Sequence, residues 1–125
     1  MKPPASDLRA CAVSTIIVVD DEPSFRQSLA EMLRDDGHPV LDYPSATAVP
    51  PFDTLPPATI LVTDFEMPGR TGIELADAFR RTHPHGHAIL LSAYAVDGPV
   101  AARPWLRFLS KPVDYPILHQ LIHAL

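Results

Sequence analysis

The chain has 125 residues, ten basic and fifteen acidic, for a formal net charge of −5. That length holds one domain with a real core. The acidic balance argues against a nucleic-acid or membrane surface, which needs a basic stripe. One cysteine, Cys11, leaves no intramolecular disulfide and suits a reducing cytosol. No apolar stretch approaches a membrane span. The opening Met1-Lys2-Pro3-Pro4 lacks the apolar core of a signal peptide, so a cytoplasmic location is expected. Fifteen prolines are about twice the usual share. Most fall between apolar runs, so they shape connections rather than signal disorder.

Residues 1–13 read as a flexible lead-in and 14–125 as the domain. A first strand is expected at about Thr15–Val19. Pro23 suits a first helical position, and a helix follows to about Asp36, stopped by Gly37. Its apolar residues Phe25, Leu29, Met32 and Leu33 recur at helical spacing. A short second strand covers about Val40–Tyr43. The next connection carries Pro44, Pro50, Pro51, Pro56 and Pro57, which leaves only Ser45–Val49 for roughly one helical turn. The third strand is Thr59–Thr63. The turn Met67-Pro68-Gly69 leads to a helix over about Gly72–Arg81, with Ile73, Ala76 and Phe79 on one face. His87–Leu91 is the fourth strand and Arg107–Leu109 the fifth. Between them, Gly98, Pro99 and Pro104 allow at most about one helical turn, so Val96–Arg103 is expected to be irregular. Asp114 is a plausible N-cap for a last helix with Pro116 near its start. Its stripe of Ile117, Leu118, Leu121, Ile122 and Leu125 is expected to face the core. Strands alternating with helical segments argue for βαβ units and a parallel sheet.

The apolar runs matter for where they end. Ile16-Ile17-Val18-Val19 closes on Asp20-Asp21-Glu22. Ile60-Leu61-Val62-Thr63 closes on Asp64, Ala88-Ile89-Leu90-Leu91 on Ser92, and Leu106–Leu109 on Ser110-Lys111-Pro112. Runs without polar alternation read as strands buried on both faces. Open parallel sheets bind ligands beyond the carboxyl ends of their strands. Three carboxylates, a hydroxyl and an ammonium should therefore meet at one sheet edge. Carboxylates that close repel one another and raise each other's pKa values. A hard divalent cation relieves this, and Mg2+ often bridges one or two carboxylates to a phosphate. Lys111 is a compact charge suited to a phosphoryl oxygen, and an aspartate can accept a phosphoryl group as nucleophile.

With those residues in place, the chain resembles the receiver domain of bacterial two-component response regulators over about Thr15–Leu125. The matching pieces are IIVVDDEPSFRQSL, ILVTDFEMPGRTGIEL, AILLSAY and FLSKP. The resemblance implies an α/β fold, a doubly wound five-stranded parallel sheet of flavodoxin-like order 2-1-3-4-5, here with shortened second and fourth helices. It implies Asp64 as phospho-acceptor. Mg2+, with Mn2+ able to substitute, would be held by Asp21 directly, by Asp20 through water, by Asp64 and by the backbone carbonyl of Glu66. Ser92 would be the switch hydroxyl, Phe108 the switch aromatic and Lys111 the phosphate partner. The Lys111–Pro112 bond would be cis. The partners implied are a sensor histidine kinase or phosphotransfer protein and an output domain or partner the chain does not name. A homodimer is a further option. The domain would catalyse only its own phosphorylation and dephosphorylation.

Plainer readings stand beside these. An acidic pair after a strand is most often a solvated helix start; agreement among Asp20, Asp21, Asp64, Ser92 and Lys111 shifts the balance. His83, His85 and His87 read as a polar loop rather than a metal site. His119 and His123 share a helix face at i, i+4 and read as a solvated or partner-facing stripe. Trp105 and Tyr94 read as core anchors or as part of a partner surface. Two other functions compete: a phosphatase or phosphotransferase using an aspartyl-phosphate, and a receiver-like module that only binds partners. The first usually has an aspartate two residues after the nucleophile, where this chain has Glu66. The second would lack an acceptor, acidic pair or lysine that this chain has.

Overall fold

The computed structural model describes residues 15–58, 60–67, 69–93 and 102–125. Its strands are β1 (Ile16–Val19), β2 (Val40–Tyr43), β3 (Ile60–Asp64), β4 (His87–Ser92) and β5 (Leu106–Ser110). They form one sheet in the order β2-β1-β3-β4-β5, and every pairing is parallel. Its helices are α1 (Pro23–Asp35), α2 (Gly72–Thr82) and α3 (Tyr115–Ala124). Expected strand and helix positions agree with these to within about a residue at most ends.

Strand alternation divides the core in two. Ile16, Val18, Ile60, Val62, Ile89 and Leu91 pack with Leu29 and Leu33 of α1 and with Leu118 and Ile122 of α3. Ile17, Val19, Leu61 and Leu90 pack on the other face with Leu75, Ala76 and Phe79 of α2. The central strands are therefore apolar on both sides, as the unalternating runs required. Each helix has a chemical start. Glu22 accepts a bond from the Phe25 N–H ahead of α1. Thr71 and Glu74 form a reciprocal capping box on α2. Asp114 accepts from the Ile117 N–H on α3.

Three expectations need correction. Ile117 is 51% exposed and Met32 39% exposed, so neither belongs to the core. Both lie at helical spacing from buried residues but on the far margin of the stripe, where period alone does not say how wide the buried face is. The proline-rich connection after β2 holds two 3-10 turns, Ala46–Ala48 and Phe52–Thr54, not one. Pro51 serves as N-cap to the second, and Phe52 is buried against Phe79 at 5.3 Å between ring centroids. Proline excluded an α-helix there but not a single tighter turn. The expected irregular stretch Val96–Arg103 and the lead-in 1–13 lie largely or wholly outside the described residues. What is described beside that stretch is anchored: Arg103 makes two 2.8 Å bonds to the Asp77 carboxylate of α2, and Arg80 lies 5.4 Å from the Trp105 ring centroid.

Candidate functional site

Parallel pairing in register brings the strand ends together. Val19 is opposite Thr63, Asp64 opposite Leu91, and Ser92 opposite Ser110. The next residues out are Asp20 and Asp21 after β1, and Lys111 after β5. Asp20, Asp21 and Asp64 thus present carboxylate oxygens within 4.8 Å of one another. Asp20 and Asp64 are buried and Asp21 is exposed.

Lys111 Nζ donates to Asp20 Oδ2 at 2.9 Å. It lies 3.4 Å from Asp64 Oδ1, an ionic contact rather than a hydrogen bond. That Asp64 oxygen is buried and accepts no hydrogen bond among the described residues. Phe25 lies beneath the ammonium, 5.0 Å from ring centroid to Nζ. Burial pushes the Asp64 carboxyl above its ordinary range; the Lys111 charge opposes this, while Asp20 and Asp21 add to it. Burial pulls Lys111 the other way, but its bond to Asp20 and the charges of Asp20 and Asp64 outweigh that, so its pKa is raised. Three carboxylates facing one ammonium leave the pocket rich in negative charge. The donors are all oxygen, and one is buried without a donor. This set fits a hard divalent cation.

The other named residues fall as follows. Ser92 is buried, and its hydroxyl donates to Glu66 Oε2 at 2.9 Å. The Glu66 side chain thus engages Ser92, which leaves its backbone carbonyl a separate matter. Phe108 is half-buried against the α2-side core. The Lys111–Pro112 bond is cis.

Further bonds hold this edge in shape. Glu22 N–H donates to Asp20 Oδ1 at 2.9 Å. Arg26 reaches back from α1 to the Asp20 carbonyl at 3.0 Å while also contacting Asp42. Gly72 lies so close to the Asp64 carbonyl that a Cβ would collide with it, and with Leu90 Cδ1 at 2.8 Å. Gly72 had a visible signal, a glycine directly after a capping threonine. The Glu66 side chain and the Arg26–Asp42 contact had none, because the partners come from other segments.

A family model described as the response regulator receiver domain matches residues 16–123. The chain belongs to the response regulator receiver domain family. Among sequence relatives, this receiver domain is 31% identical over 115 residues to the response regulator protein FleR of Pseudomonas aeruginosa. The match takes in 88% of this chain and 24% of FleR, so the chain spans about a quarter of that regulator's length. Among solved structures, a response regulator receiver domain protein from Clostridium thermocellum superposes with a TM-score of 0.79 at 26% identity, covering 90% of this chain and 93% of the other. The response regulator TrrA of Thermotoga maritima, solved in complex with Mg2+-BeF, gives 0.76 at 26% identity, covering 90% and 98%. Receiver domains are signalling modules of two-component systems that receive phosphoryl groups from histidine kinases or phosphotransfer proteins. Among the described residues no helix is long and apolar enough to cross a membrane.

Proposed function

We propose that this receiver domain is a phospho-acceptor switch in which Asp64 takes a phosphoryl group from a phosphohistidine of a sensor kinase or phosphotransfer protein. The observation that carries the reading is the buried, donor-free Asp64 Oδ1 beside Lys111 within the carboxylate triad. In the transfer, an Asp64 carboxylate oxygen forms the new P–O bond as the donor's P–N bond breaks. The electron pair returns to the imidazole nitrogen, which takes up a proton. Such chemistry asks a protein for in-line placement and charge neutralisation.

Asp20, Asp21 and Asp64 would hold Mg2+, or Mn2+ in its place, with the Glu66 backbone carbonyl as a further ligand. The cation, when bound, supplies positive charge against the incoming phosphoryl oxygens. Lys111 neutralises the same group from the β5 side, exchanging part of its contact with Asp20 and Asp64 for phosphoryl oxygen. Ser92 can turn from Glu66 to the modified Asp64 across the same edge, and Phe108 follows on β5 as the switch aromatic. The module acts in the cytoplasm, catalyses only its own phosphorylation and dephosphorylation, and passes its change to an output domain or partner.

The test is direct. Incubation with acetyl phosphate and Mg2+ should add one phosphoryl group, mapped by mass spectrometry to Asp64. Labelling that survives Asp64→Ala, or that proceeds equally in excess chelator, overturns the proposal.

A further inference from the structure

The sheet edge opposite the acidic pocket gathers three imidazoles that the signalling chemistry does not use. Helices in this fold run antiparallel to the strands, so α1 and α3 both end at that edge. The end of α1 is a Schellman turn. Gly37, at φ 96°, donates its N–H to the Arg34 carbonyl at 2.9 Å, and His38 donates its N–H to the Leu33 carbonyl at 3.1 Å. The backbone of His38 is thereby fixed, and its side chain is buried. On α3, His119 and His123 stand at i, i+4 on one face, a spacing that lets two imidazoles reach one ion. The His38 and His123 ring centroids are 5.7 Å apart, and those of His119 and His123 are 4.3 Å apart. His119 Nε2 is 3.3 Å from Asp36 Oδ2, and Tyr115 donates its hydroxyl to that same oxygen at 2.6 Å.

We propose that His38, His119 and His123, with Asp36, form a second metal site for a borderline divalent cation of the zinc type, clamping the end of α1 to α3. Imidazole nitrogen with one carboxylate is a donor set zinc accepts and magnesium does not favour. The surroundings are electronegative: Asp35 and Asp36 close α1, and both helix C-termini carry partial negative charge. The nearest basic side chain on α1, Arg34, is engaged with Asp42 and the Val40 carbonyl. Among the described residues, only the acidic triad already has three ligand atoms mutually within 4.8 Å. The histidine cluster does not meet that spacing as it stands, so binding requires side-chain rotation. His123 is exposed and the His119 side chain is 42% exposed, which leaves both room to turn, His119 out of its present contact with Asp36, while His38 supplies the fixed wall. The site is independent of the phosphoryl chemistry at the other edge.

The experiment is a calorimetric titration of the whole chain with Zn2+, in excess Mg2+ to cover the acidic pocket, paired with thermal unfolding. One Zn2+ should bind per chain and raise the melting temperature. Either His119→Ala or His123→Ala, both at accessible positions, should weaken binding about tenfold or more, and Asp64→Asn should leave it unchanged. Three results would each overturn the site: no Zn2+ binding up to about 1 mM, binding that is unchanged in the His119→Ala/His123→Ala double variant, or binding lost in Asp64→Asn.

Discussion

Lys111 holds two buried carboxylates, and the proposed function asks the same side chain to meet a phosphoryl group. It faces two buried carboxylates, and removing it leaves Asp20 and Asp64 without their nearest positive charge. Lys111→Ala should still fold, since the sheet and both cores are untouched. In metal-free buffer it should lose about 2 kcal/mol, within the range for breaking a partly buried pair. Mg2+ should recover much of that loss, yet the phosphorylation-linked change should be impaired. Chemical denaturation with and without Mg2+ checks this, and an unchanged midpoint in chelator would contradict it. Asp21→Ala should weaken Mg2+ binding while leaving the metal-free midpoint nearly unmoved, because Asp21 is exposed. His87 gives a pH signature. Burial and the charges of Arg107 and Arg80 lower its pKa below the ordinary 6.5. Its neutral form is thus favoured in the folded state. The unfolded chain binds the proton first as pH falls, so stability drops through and below about pH 6.5. His87→Gln should flatten that slope; a variant with the same slope as the parent would exclude His87 as its source.

At the scale of elements, the start of α2 couples packing to the site. Thr71 and Glu74 cap it, Gly72 N–H donates to the Phe65 carbonyl at 3.0 Å, and Gly72 abuts the Asp64 carbonyl. No side chain fits between that helix and β3. Gly72→Ala should cost about 2 kcal/mol, the range for overpacking a filled site, and should slow Asp64 labelling by acetyl phosphate. A variant with parental stability and rate would show that the backbone yields freely there. Pro23, Asp114 and the unalternating strands were readable because each signal is local. Phe52–Thr54 escaped because its stability comes from Phe52 packing on Phe79, a contact far apart in sequence. The Ser92–Glu66 and Arg26–Asp42 bonds escaped for the same reason. The position of the acidic pocket was legible, since strand ends alone set it; the bonds around it were not.

For the molecule as a whole, the acidic pocket sets local function against stability. Asp64 is held above its ordinary pKa, first by burial and then by Asp20, with Lys111 opposing. The folded state therefore keeps this proton more tightly than the unfolded chain does. As pH rises from about 3.8, the ordinary value, through the raised folded value, the unfolded chain releases the proton first and Asp64's contribution to stability falls. Above that window its full cost remains. Asp64→Asn removes the charge at nearly constant shape. In chelator at neutral pH, Asp64→Asn should melt higher than the parent, and the gap should close as pH falls toward 3.8. Divalent cation should close it from the other side, because Mg2+ at about a hundred times its dissociation constant adds about 2.7 kcal/mol to the state that binds it. The parent should gain far more from Mg2+ than Asp64→Asn does. Melting curves across pH with and without Mg2+ decide the matter. A gap that does not change with pH, or an equal gain from Mg2+ in both proteins, would mean that the charge on Asp64 is not what the fold tolerates in order to hold a cation and a phosphoryl group.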